Sequence, residues 1–224
     1  SKYIENSRKN TYINSVRGVV DAISTSMNNP EYPVPSRDEA IIVPFSEANL
    51  EKGNAKTRSP YSTYQEGKSY VVITYDGKGY SYYVVTLDET GYGIPFIDSK
   101  ELTTKSITVD NNVISNNIHS INEILNTNDY LDTDLFSLKH YSKIGNIIKV
   151  KTMPKTYYYT SIHQAIEDVN NKTIGTNSNS NETNASVKVY KEHGSVYVEL
   201  LKDITLTERL NPTVDMTINL GGNT

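Results

Sequence analysis

A chain of 224 residues, with a net charge of −4 and no cysteine, has room for one large domain or two small ones. The missing cysteine excludes a disulfide framework, cysteine zinc sites, iron–sulfur clusters and thiol catalysis. The 22 Lys and Arg against 26 Asp and Glu leave no basic excess to grip a phosphate backbone, so no nucleic-acid partner is expected. Hydrophobic residues make up 36%, and Tyr outnumbers Phe by 18 to 3 with no Trp, which suits an elongated, surface-rich protein whose tyrosines sit half in water. No apolar run is long enough to cross a bilayer, and no signal peptide is visible.

Residues 1–27 predict a helix. They carry no Pro, and Tyr12, Val16, Val19, Val20, Ile23 and Met27 recur on one face of a 3.6-residue period. Arg8, Lys9, Asn14, Arg17 and Asp21 occupy the other face. Asn28-Asn29-Pro30 should end it, with Asn in a left-handed cap and Pro blocking continuation. No cap signal precedes Tyr3, so the helix is expected to continue N-terminally in the natural protein.

The opening string Ser1-Lys-Tyr-Ile-Glu-Asn-Ser-Arg-Lys-Asn-Thr-Tyr12 resembles the stretch after the hydrophobic N-terminal segment of type IV pilins and pseudopilins of Gram-positive bacteria. The resemblance spans roughly the first 110 residues. It implies a cleaved prepilin leader and an apolar half-helix, absent from this chain, that anchors the subunit in the membrane and later packs in a fibre core. The amphipathic half, residues 1–27, would then lie on an antiparallel sheet. Other pilin-like subunits would be partners through this helix, and the location would be the bacterial surface or beyond.

Residues 29–64 are rich in turn formers, including Pro30, Pro33, Pro35, Pro44 and Pro60. Residues 40–45 predict an edge strand ended by Pro44, and residues 46–50 a helical turn. The clearest β signal is a hairpin, residues 69–75 and 80–87 around Asp76-Gly77-Lys78-Gly79, where positive φ is tolerated. Gly91-Tyr-Gly-Ile-Pro95 reads as a turn, residues 101–107 and 118–125 as short helices, and residues 146–152 as a strand. The fold class expected is α+β, with the amphipathic helix on an antiparallel sheet over residues 1–155 and a β-rich second domain over residues 156–224.

That second domain opens with aromatic Tyr157–Tyr159, then a helix N-capped by Thr160 or Ser161 with an apolar stripe of Ile162, Ala165, Ile166 and Val169. The Asn-, Ser- and Thr-rich residues 170–184 predict a mobile loop. Short strands are expected at 186–190, 195–201, 204–206 and 216–220. The runs Tyr159-Thr-Ser-Ile-His-Gln-Ala-Ile-Glu167, Val198-Glu-Leu-Leu-Lys-Asp-Ile-Thr-Leu-Thr-Glu-Arg-Leu210 and Met216-Thr-Ile-Asn-Leu-Gly-Gly-Asn223 resemble the capped opening of a pectin-lyase-like right-handed parallel β-helix. Val198 to Ile218 is about twenty residues, near one solenoid coil. The resemblance implies that each coil buries its inward face on the next, and that further coils follow or the solenoid stops after one or two. A small antiparallel sandwich with a helix is the alternative.

Candidate chemistry is sparse. His119, His140, His163 and His193 show no zinc-ligand spacing, and His163 with Glu167 reads as a solvated pair one helical turn apart. No serine-nucleophile elbow, phosphate loop or dinucleotide fingerprint occurs. Asp129, Asp132 and Asp134 could offer oxygen ligands to calcium, but without the glycine and terminal Glu of an EF-hand they read first as a solvated loop. Asp203, Glu208 and Arg209 read as turn residues. No catalytic, cofactor or metal residue is assigned. The expected role is structural or adhesive rather than enzymatic, with a glycan or host surface as the ligand. A carbohydrate-binding or carbohydrate-cleaving β-helix and a secretion or competence pseudopilin are the alternatives.

Overall fold

A computed structural model describes residues 1–109, 118–126, 137–153, 156–179, 181–192 and 195–224. The chain is α+β and divides into two compact units, with the change at Thr152 and Met153.

The first unit opens with helix α1, Lys2–Ser26. Ser1 is its N-cap, accepting from the Ile4 N–H at 3.3 Å, so a cap stands where the sequence reading found none. The C-terminal end also differs. Met27 is right-handed, and the next two N–H groups close tight turns onto Thr25 and Ser26, so no left-handed Asn is needed before Pro30.

Six strands follow: β1 (Glu39–Pro44), β2 (Tyr70–Tyr75), β3 (Tyr80–Leu87), β4 (Gly93–Asp98), β5 (Ser137–Ile144) and β6 (Ile147–Met153). They form one sheet in the order β4-β3-β2-β1-β6-β5. The hairpin between β2 and β3 forms as expected. Gly77 takes φ 92°, and the Asp76 carboxylate accepts from the N–H groups of Lys78 and Gly79. β1 is central rather than an edge, because β6 pairs with its other side from Glu39↔Lys151 to Ile42↔Ile148. Pro44 is its last residue, where a missing N–H costs least.

Three further expectations change. Gly91 turns the chain, but strand β4 begins at Gly93. Pro95 falls at a break in the β3–β4 register on an edge strand, so no ladder bond is lost. Residues 99–107 form two single 3₁₀ turns, Ser99–Glu101 and Thr104–Ser106, rather than a helix. The predicted turn at 46–50 shifts to 3₁₀ residues Phe45–Glu47.

Helix α1 packs on the sheet face formed by Ile41, Val43, Val71, Ile73, Val84 and Ile94. The opposite face, with Ala40, Ile42, Val72, Ile148 and Val150, is also buried. The segment holding helix α2 (Ile121–Asn126) meets that face, where the Tyr70 hydroxyl donates to the His119 carbonyl at 2.9 Å. Gly93 marks the closest approach. A Cβ there would stand 2.5 Å from the Thr86 carbonyl oxygen and 2.8 Å from Ile118 Cδ1. Gly93→Ala should therefore cost about 2 kcal/mol, because a backbone oxygen cannot swing aside. Gly79→Ala, with open space around it, should sit within a few tenths of that unfolding midpoint scale's zero; urea unfolding of both variants is the check.

The second unit contains β7 (Thr156–Tyr159), helix α3 (Ile162–Asn170), β8 (Val187–Glu192), β9 (Ser195–Leu200) and β10 (Thr217–Asn219). Ser161 is the N-cap of α3, accepting from the Gln164 N–H. The sheet runs β10-β9-β8-β7. Its first two pairs, β7–β8 and β8–β9, are antiparallel, and β9–β10 is parallel with Tyr197↔Thr217, Val198↔Ile218 and Glu199↔Asn219. The stacking continues past the strand, where the Ile204 N–H donates to the Thr224 carbonyl at the same twenty-residue offset. Residues 204–206 form no strand; Ile204 makes this one ladder-like bond and the chain then turns away. The core gathers Tyr159, Ile162, Ala165, Ile166, Val169, Val187, Val189, Val198 and Leu200 between α3 and the sheet.

Candidate functional site

The predicted helix face is where the first unit holds α1. Tyr12, Val16, Val19 and Ile23 are fully buried and Val20 nearly so, while Met27 packs half-buried on the same core. Ile13, absent from the predicted stripe, is buried as well. The Tyr12 hydroxyl is paired with Thr86 Oγ1 at 2.7 Å, and burial pushes its pKa well up, so it stays neutral. N-terminal to Tyr12 no residue of α1 is buried, and Tyr3 and Ile4 are 81% and 58% exposed.

A polar strut braces this exposed stretch. Tyr61 stacks on Tyr92 with ring centroids 3.6 Å apart and planes 1° from parallel. Its hydroxyl donates to Glu5 Oε1 at 2.6 Å, and the Arg8 guanidinium carbon stands 5.1 Å from its ring centroid. Burial, and then the Glu5 carboxylate, push the Tyr61 pKa up, so it remains a donor. Both rings are set by Asp88. This fully buried carboxylate accepts from Ser59 Oγ at 2.5 Å, from Thr90 N and Oγ1 at 2.9 and 2.8 Å, and from Tyr92 N at 3.0 Å. Ser59 Oγ in turn accepts from the N–H of Tyr61.

The second unit has its own buried carboxylate. Asp168, 1% exposed, accepts from the Tyr159 hydroxyl at 2.8 Å, from Asn177 N at 2.8 Å and from Asn177 Nδ2 at 2.7 Å. Gln164 Nε2 adds a longer bond of 3.4 Å. Burial opposes its ionisation, but the bonds from Asn177, Tyr159 and Gln164 outweigh that and hold the carboxyl below the usual carboxylate range. The Tyr159 oxygen also accepts from Gly175 N at 2.7 Å. The segment expected to be a mobile loop is therefore tied down over Gly175–Asn179, with Asn179 N also donating to the Tyr158 carbonyl. The Asn177 side chain and the N–H groups of Gly175, Asn177 and Asn179 find acceptors in β7 and α3, which composition alone does not reveal.

The remaining candidates stay apart. Among the described residues no group of three or more His, Asp or Glu is placed to hold a metal ion. Asp129, Asp132 and Asp134 lie outside the described residues, as does His193, and only the backbone of His140 is described. His119 Nδ1 lies 3.6 Å from Glu123, one turn on. The half-buried His163 and exposed Glu167 make no ion pair with each other among the described residues. Asp203 caps the Thr224 N–H, and Glu208 and Arg209 are exposed. An open cleft of about 630 Å³ in the first unit is lined by Ser46, Glu66, Gly67, Ser120, Lys143 and Asn146 among others.

No family model, curated protein or solved structure matches the chain. What can be argued of its role rests on the geometry just described.

Proposed function

We propose that the chain is the extracellular part of a type IV pilin-like surface subunit, structural and adhesive rather than catalytic. The observation that supports this reading is the split in α1. From Tyr12 onward one face of the helix is buried on an antiparallel sheet, while none of its first ten residues is buried and Tyr61 braces them at Glu5. A helix half packed and half presented suits a subunit that joins its neighbours through the free half. Electron microscopy of filaments sheared from the cells that make the protein tests it. Immunogold label against the chain should follow the filaments and vanish when the assembly ATPase is deleted. Label found only in the medium or the cytoplasm would sink the proposal. Label on a short secretion or uptake filament would instead assign the chain to a pseudopilin.

A second reading, a carbohydrate-binding or carbohydrate-cleaving β-solenoid protein, is favoured by the parallel β9–β10 pair with its twenty-residue offset. Gly221 supports close stacking, since a Cβ there would lie 2.9 Å from the Leu200 carbonyl oxygen. Asn223 Nδ2 donates to that same carbonyl at 3.1 Å. Binding or release of sugars across a glycan panel is the discriminating measurement.

A further inference from the structure

The 24 asparagines include three that open an Asn-x-Ser/Thr triplet without Pro in the middle. They are Asn171-Lys-Thr173, Asn181-Glu-Thr183 and Asn184-Ala-Ser186, all in one part of the second unit. Asn211 is followed by Pro212 and drops out. All three asparagines are exposed, as a bulky hydrophilic modification requires.

Local geometry separates them. The Thr173 hydroxyl and N–H both turn back onto the Asp168 carbonyl at the C-terminal end of α3, so the third residue of that triplet is committed to the fold. Ser186 is held at the entry of β8, its N–H on the Tyr159 carbonyl and its carbonyl accepting from Leu201. Ala185 beside it is buried. The Asn171 and Asn181 triplets are each exposed at all three residues, so what sets Asn181 apart is that the Thr173 hydroxyl is tied to the Asp168 carbonyl. In the Asn181 triplet the Asn181 side-chain oxygen accepts from the Thr183 N–H at 2.9 Å, an Asx turn. The turn fixes the carboxamide through its oxygen and leaves both Nδ2 protons uncommitted among the described residues.

We infer that Asn181 is an N-glycan acceptor, with Asn184 a secondary one. The inference rests on the exported reading above, since the reaction needs a glycosyltransferase acting on exported or exporting chains. The donor class is a sugar activated as a glycosyl phosphate or diphosphate. Asn181 Nδ2 forms the new bond to the anomeric carbon, the bond from that carbon to the phosphate oxygen breaks, phosphate carries away the electron pair, and one Nδ2 proton is lost to base.

The test is mass spectrometry of the protein isolated from the cells that make it. Trypsin releases residues 173–188 as one peptide carrying both Asn181 and Asn184. The expected result is a sugar mass on Asn181, lost in Thr183→Ala and in Asn181→Gln and retained in Thr183→Ser. Thr183 is exposed, so folding should be untouched by these changes. An unmodified peptide, sugar on Asn184 alone, or sugar that survives Thr183→Ala overturns the inference. Filament location is read separately by the immunogold label, so a protein on filaments without sugar and a sugar-bearing protein off filaments are distinct failures.

Discussion

Val19→Asp is expected to lower the stability of the first unit by about 4 kcal/mol, enough to unfold a marginal domain. Val19 is fully buried, in a core shared with Val16, Val20 and Ile23 of the helix and with Ile41, Val71 and Ile73 of the sheet. A carboxylate placed there loses its water and gains no partner, and it responds by taking up a proton more readily than in water. The deficit should therefore be largest at neutral pH and above, shrink as pH falls toward about 4, and level off below that, where the unfolded chain also protonates the group. Asn14→Asp adds the same charge to the same helix at an exposed position and should leave the midpoint within about 0.5 kcal/mol. Urea unfolding of both variants at two pH values separates the outcomes. Equal midpoints for the two would mean that the helix face does not sit in the core.

Much of this core was legible in the residues themselves. The 3.6-residue stripe on α1 is unbroken, and Asp76-Gly77 between two β-branched and aromatic runs admits little besides a hairpin. The stripe on α3, from Ile162 to Val169, is equally clear. Strand β5 was missed because Leu138, Tyr141 and Ile144 step by three, a helical spacing, in an otherwise polar run. β1 was placed at an edge for a different reason: its second neighbour, β6, was expected as a strand but lies about a hundred residues later in the chain. Local pattern carries no information about such a distant partner. The parallel pairing of β9 with β10 has the twenty-residue offset between Val198 and Ile218 that the sequence already displays.

Neither buried carboxylate could be read from its neighbours. Asp88 lies in Asp-Glu-Thr-Gly, an ordinary turn sequence, and its shortest bond comes from Ser59. Asp168 looks like a solvent-facing residue of an amphipathic helix. The one signal was its spacing, three residues after Ala165 and one before Val169, which puts it at the margin of the apolar stripe. Two of its donors, the Asn177 N–H and side-chain amide, sit in a segment whose composition points to disorder.

For that reason Asp168→Ala should be the most damaging single change in the second unit, at about 4 kcal/mol. Removing the carboxylate strands the Tyr159 hydroxyl, the Asn177 N–H and the Asn177 side-chain amide, and each buried donor left unpaired costs about 1–3 kcal/mol. Asp168→Asn keeps one acceptor oxygen but turns an N–H group toward donors, so about half that loss is expected. The wild-type carboxyl is held below its unfolded value, so its contribution is complete above about pH 4 and fades as pH drops through the folded pKa. The gap between wild type and Asp168→Asn should narrow over that acid range and stay constant from pH 5 to 8. Hydrogen exchange gives a local readout: the amides of Gly175 and Asn177, bonded to Tyr159 and Asp168, should lose protection in both variants before the β8–β9 ladder does. Protection unchanged at those two amides would show that the loop is held by its own turns, and that Asp168 organises nothing beyond its helix.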